Sequence, residues 1–147
     1  MRASRKGLPV RHPERVEQNA ILRLISSLGG CAWVLGTTRR RGDYQGTMQT
    51  PGVADVYGVL PARPPFTSEA TELAFWVEVK AKGGRLRPEQ KVFREHCLAA
   101  GVEHIVGGVD AFIAWCITRG YLRADQVAHY RVHSGRTDTW DDGTTSR

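Results

Sequence analysis

With 147 residues, of which 41% are hydrophobic and 24% charged, the chain has room for one hydrophobic core and too little for two. No stretch approaches the roughly 18 consecutive apolar residues of a membrane span, and the basic opening MRASRKGLPVRHPER lacks the apolar centre of a secretory signal, so a soluble, cytoplasmic domain without a membrane partner is expected. The formal charge of +6 is clustered, with six Arg or Lys against two Glu in the first 23 residues and Arg39, Arg40 and Arg41 in a row, a pattern that suits a polyanionic partner and equally a solvated cationic surface.

From Pro13 the spacing predicts a helix: Val16, Ala20, Ile21, Leu24, Ile25 and Leu28 recur every three or four residues until Gly29-Gly30 stops them. CAWVLGTT reads as a strand, RRRGDYQGTMQTPG as a loop, and VADVYGVLP as a second strand ended by Pro61. The connector ARPPFTSEATEL is turn-rich, and its prolines forbid a central strand; its length over Ala62 to Leu73 allows a substrate-shaping or dimer-contact insertion, or a surface loop without a role. AFWVEVKA is the clearest strand. After Gly83-Gly84, Pro88 opens a helix at its favoured first position, with Val92, Phe93, Cys97 and Leu98 on the apolar side and Gly101 at its end.

EHIVGGV completes the strands, and Asp110 can cap a last helix carrying Phe112, Ile113, Cys116 and Ile117. The order α-β-β-β-α-β-α implies an α/β domain whose mixed, partly parallel sheet is flanked by helices. Residues 1–12 read as a basic arm, 13–122 as the domain and 123–147 as a polar, partly disordered tail. Cys31, Cys97 and Cys116 are odd in number, widely spaced and set among apolar neighbours, which points to reduced core thiols rather than disulfides or a zinc site. Trp33, Trp76 and Trp115 lie in apolar elements and read as core, unlike Trp140 in the tail. His129 and His133 have a metal-compatible spacing, but VAHYRVH reads as well as a strand and no third ligand is near.

Strand alternation puts Phe75, Val77 and Val79 on one face of FWVEVKA and Trp76, Glu78 and Lys80 on the other, with Glu78 and Lys80 about 6.5 to 7 Å apart along the strand. In the preceding strand Asp55 shares a face with Val53, Tyr57 and Val59, and strand pairing would bring it towards Glu78. Two adjacent carboxylates repel unless a cation lies between them, and hard oxygen ligands suit Mg²⁺ or Mn²⁺. Such an ion with a lysine beside it fits phosphodiester hydrolysis. E-x-K alone is equally a solvated ion pair on an edge strand.

The pieces TPGVAD, FWVEVKAKGGRLRPEQKVF and AAGV, in that order and spacing over roughly Glu14 to Trp115, resemble the VRR-NUC branch of the PD-(D/E)XK nuclease superfamily. The resemblance implies a restriction-endonuclease-like core and a metal-dependent DNA endonuclease. Asp55 and Glu78 would be metal ligands, the carbonyl of Val79 would complete the site, Lys80 would be the catalytic lysine and Gln90 would orient the site from the helix. The family's first-helix acid falls on Glu14, four before Gln18, with Glu17 as the rival nearer the apolar face; both also suit exposed acids at a helix start. Ala54 stands where the superfamily name has proline. Arg39, Arg40, Arg41, Arg85 and Arg87 flank the site in sequence and suit backbone phosphates, or ordinary solvated loops. Small stand-alone members, often from phages or bacteria, resemble Holliday-junction resolvases, which implies branched or junction DNA as substrate and a homodimer to make two symmetric nicks. A flap- or restriction-type nuclease and a non-catalytic DNA-binding module are the alternatives.

Overall fold

The computed structural model describes residues 13–35, 50–68 and 73–129. Its elements run α1 (Pro13–Ser27), β1 (Cys31–Val34), β2 (Val56–Leu60), β3 (Leu73–Val79), α2 (Pro88–Ala99), β4 (Glu103–Gly107), α3 (Val109–Thr118) and a 3₁₀ turn (Ala124–His129). The strands form one sheet in the order β1-β2-β3-β4. β1 and β2 pair antiparallel, as do β2 and β3. α2 then carries the chain over the sheet, so that β4 joins β3 in parallel.

The apolar stripe of α1 does as its period requires, burying Ala20, Ile21, Leu24 and Ile25. Facing it are Val56 and Leu60 of β2, Phe75, Val77 and Val79 of β3, and Phe112, Ile113 and Cys116 of α3, which make one core. Each fully buried Ile, Leu or Phe there contributes about 1.5–3 kcal/mol. Phe75 meets both Phe112 and Trp115, with ring centroids 5.5 and 4.9 Å away. The indole N–H of the half-buried Trp115 donates to Glu103 Oε2 at 3.0 Å, which satisfies its polar atom.

The opposite face is built differently. Trp33, Tyr57, Trp76 and His104 stand directly opposite one another across all four strands, and Phe93 of α2 packs on Trp76 and His104. Arg94 reaches under the same helix: its Nη1 donates to the His104 carbonyl at 2.7 Å and lies 3.0 Å from His104 Nδ1. Because guanidinium only donates, that nitrogen accepts and the ring proton belongs on Nε2. Burial, helped by the Arg94 charge, pushes the His104 pKa down to about 4.

Several expectations change. The inward side of α2 carries Gln90, Phe93, Arg94 and Cys97, while Val92 and Leu98 are over half exposed, because α2 lies on an aromatic, polar row rather than an aliphatic core. β1 is an edge strand, so Trp33 and Cys31 are exposed rather than core, leaving Cys97 and Cys116 as the buried thiols. Burial holds the Cys116 thiol up at about 12. Asp110 lies inside α3, whose cap is Gly108. The connector after β2 returns to the end of α3, where the Phe66 N–H donates to the Gly120 carbonyl, at the end of the sheet away from Asp55. The tail with Trp140 and the arm before Pro13 lie outside the described residues, as do His133 and the side chain of His129.

Candidate active site

β2 begins one residue after Asp55, yet the sheet contacts continue past the strand ends: the Leu35 N–H donates to the Asp55 carbonyl at 2.8 Å. The register Val56↔Val77, carried one step further, sets Asp55 opposite Glu78. Asp55 is fixed there by its side chain, whose Oδ2 accepts from the Val79 N–H at 2.8 Å. In an extended strand a residue's N–H and C=O point to the same side, so the Val79 carbonyl also faces Asp55.

Glu78 is 1% exposed. Its Oε1 takes two donors, Gln90 Nε2 at 2.5 Å and Lys80 Nζ at 3.0 Å, whereas the buried Oε2 has no hydrogen-bond partner. Burial raises the Glu78 pKa and the Asp55 charge raises it further, while Lys80 and Arg87 pull it back. The carboxylate is thus held in place on one oxygen and left under-satisfied on the other, an arrangement that costs free energy unless something positive meets it.

Gln90 is buried in the first turn of α2, and its amide is read at both ends. Oε1 accepts from the Arg87 N–H at 2.8 Å, closing one of the orphan donors of the helix start. Nε2 therefore points at Glu78. Behind α2, Gly52 has φ +89°, and a Cβ there would fall 2.3 Å from the Glu89 carbonyl oxygen. The Pro51-Gly52 turn consequently docks onto the same helix turn that carries Gln90. This contact explains physically why TPGVAD and RPEQ occur together: one locates Asp55, the other Gln90, and each is braced on the other.

The two first-helix acids are separated by the structure. Glu14 is exposed in the first turn of α1, whereas Glu17 Oε2 accepts from the Val109 N–H at 2.7 Å. A Cβ on Gly108 would sit 2.5 Å from that oxygen, so glycine is what admits the carboxylate to the start of α3, where the helix dipole favours it. Since Val79 pairs with Gly107, Glu17 lies at the same end of the sheet as Glu78. Once the helix start is set at Val109, two glycines precede it and supply no side-chain cap, so the acceptor comes from Glu17.

Arg85 and Arg87 are exposed on the loop between β3 and α2. Arg39, Arg40 and Arg41 lie outside the described residues. Among the described residues no three His, Cys, Asp or Glu side chains form a metal-holding group. A cation here would rest on Asp55, Glu78 and the Val79 carbonyl, with water or phosphate oxygens for the remainder. That is how Mg²⁺ is commonly held, with few carboxylates and several exchangeable oxygens, and the orphaned Glu78 Oε2 supplies the buried charge such an ion would meet.

This geometry, two acids and a lysine on the ends of central strands with a helix amide bracing them, defines an α/β protein of restriction-endonuclease-like architecture. No family model matches the chain, and no curated protein matches it. Among solved structures, a chain described as a VRR_NUC domain is similar over 76% of this chain and the whole of its own, with a TM-score of 0.53 and 20% identity. The chain has the fold of a VRR_NUC domain.

Proposed function

We propose that the protein is a metal-dependent nuclease that hydrolyses DNA phosphodiesters at Asp55, Glu78, Lys80 and Gln90. The observation that carries this reading is Glu78, a buried carboxylate with an unpartnered oxygen, held beside a second acid in the fold of a VRR_NUC domain. A fold kept only for binding DNA gains nothing from such a group, because two carboxylates repel the phosphates that a basic surface attracts.

Asp55, Glu78 and the Val79 carbonyl would hold Mg²⁺ or Mn²⁺, which when bound polarises a phosphoryl oxygen and acidifies water. The protein's own contribution is position. Gln90 Nε2 fixes the Glu78 rotamer by donating to Glu78 Oε1, and the Val79 N–H fixes Asp55 by donating to its Oδ2. The Lys80 ammonium, 3.0 Å from Glu78, stands where it can orient the attacking water and hold charge that grows on the phosphate. Arg85 and Arg87, with Arg39, Arg40 and Arg41, bind backbone phosphates. Of the first-helix acids, Glu17 supports the site end of the sheet through α3, whereas Glu14 is exposed in the first turn of α1.

Within this class the substrate is branched DNA of the Holliday-junction kind, cut by a homodimer, a reading supported by the net charge of +6. Purified protein with Mg²⁺ or Mn²⁺, tested on four-way junction, flap, single-stranded and linear duplex DNA beside Asp55→Ala, checks both levels. Paired symmetric nicks on the junction, lost in Asp55→Ala, are expected. No cleavage of any substrate with either metal overturns the nuclease reading; flap or end preference, or a strict monomer by mass in solution, overturns the junction reading alone.

A further inference from the structure

The aromatic row is uneven in its cover. Trp76 and His104 lie under Phe93 of α2, while at the β1 edge Trp33 is 52% exposed and its ring contact is Tyr57, 5.8 Å away and tilted by 32°. Tyr57, half-buried, in turn meets Trp76 at 4.9 Å, so the exposed Trp33 is continuous through it with the roofed pair. Folding gains little from an indole left half open on a four-residue edge strand, and beside Tyr57 it leaves an aromatic face open to a flat partner.

The row lies on the face of the sheet that carries the acids. Tyr57 is two residues from Asp55 and Trp76 two residues from Glu78, so the aromatic row runs parallel to the acid row about 6.5 to 7 Å away. A polynucleotide with a phosphate at Asp55 and Glu78 that crosses the sheet towards β1 therefore lays an adjoining nucleotide beside these rings. We propose that Trp33 and Tyr57 form a base-stacking subsite that receives an unpaired base next to the bond to be cut. The inference rests on the nuclease reading above and names what the site takes: a strand with an unpaired base, which branched DNA supplies where base pairs open at the branch point. A base inside a continuous duplex has both π-faces occupied by its neighbours and cannot enter, whereas an unpaired base of any identity stacks on an aromatic face.

Binding, read without turnover, tests this. In EDTA, the affinity for a labelled single strand of about 12 nucleotides, within the span one such surface engages, is compared with that for the matching duplex. The variants are Trp33→Ala, Trp33→Phe and, as an equally exposed apolar control, Val92→Ala. Trp33→Ala is expected to weaken single-strand binding about tenfold and leave duplex binding within about twofold. Trp33→Phe should retain most of the affinity and Val92→Ala all of it, with melting temperatures confirming that each variant is folded. Unchanged single-strand binding in Trp33→Ala, or an equal loss on both DNAs, overturns the subsite. So does a change of oligomeric state in Trp33→Ala without a change in binding, which would give the surface to a second copy of the chain. Wild-type cleavage with an unaffected Trp33→Ala sinks this inference alone; wild-type protein that neither binds nor cuts any DNA sinks the nuclease reading beneath it.

Discussion

The same four strands present two faces made by opposite rules. Towards α1 and α3 the sheet shows Val56, Phe75, Val77, Val79 and Ile105, all buried in one apolar cluster. Towards α2 it shows Glu78, Trp76, His104, Tyr57 and Trp33, where a carboxylate is buried with an oxygen unpaired, a histidine is kept neutral and an indole stands in solvent. The first face stabilises the fold and the second draws on that stability. What the difference teaches is where to look for chemistry: polar groups on the α2 face are held despite their burial cost, so each needs a reason beyond folding.

The sharpest way to test that contrast is to damage the apolar face. Phe75→Ala, which opens a cavity among Val77, Phe112 and Trp115, is expected to cost about 3–5 kcal/mol in denaturant unfolding, and Glu78→Gln far less on the same measurement while abolishing cleavage. A comparable loss from both would erase the division of labour. A pH series probes the α2 face next. The depressed pKa of His104 means that the unfolded chain takes up a proton the folded chain refuses. The neutral ring is fully tolerated above about pH 6.5, and stability is lost as pH falls from there towards about 4. The free-energy difference between wild type and His104→Gln should shift by up to about 3 kcal/mol across that window, and a flat difference would show that the ring is free to protonate.

A smaller effect falls on the seam between the faces. Gly52→Ala forces a side chain into the Glu89 backbone at positive φ and is expected to cost about 1–2 kcal/mol, with a larger fall in activity because it shifts Asp55 against Gln90. Smallest of all in free energy, thiol labelling of native protein should modify Cys31 and spare Cys97 and Cys116 until the chain unfolds; labelling of all three at one rate would contradict the burial of α2 and α3.

The parts legible in the sequence were those governed by local rules. The three-and-four spacing of α1, the Pro88 start of α2 and the alternation in β3 each depend on neighbours within a few residues, and all three elements formed with bounds close to those expected. The element order α-β-β-β-α-β-α followed from them. What stayed hidden depends on distant partners. Nothing in CAWV states that β1 lies at an edge, so Trp33 and Cys31 read as core. The apolar look of Val92 and Leu98 misled because α2 rests on aromatics that only the β-register assembles. Asp110 was the obvious cap for α3 by propensity, but Glu17 reaches the helix from far back in the chain and Gly108 makes room for it. Of the candidate site, the pairing of Glu78 with Lys80 could be reasoned from alternation; Gln90 came in only through the resemblance, and its two hydrogen bonds, from the Arg87 N–H and to Glu78, needed the structure.

The Glu17 contact has a bearing on how the protein is made. It joins the first helix to the last across 92 positions of sequence, and β4, just before α3, is the parallel neighbour on which β3 depends. A ribosome releases α1 long before it releases Val109, so during synthesis Glu17 faces water and the strand bearing Glu78 lacks one flank. Contacts of such long separation form late. Val109 is therefore made after Asp55, Glu78, Lys80 and Gln90, and the contact that braces their end of the sheet becomes available only once every member of the candidate site has been made.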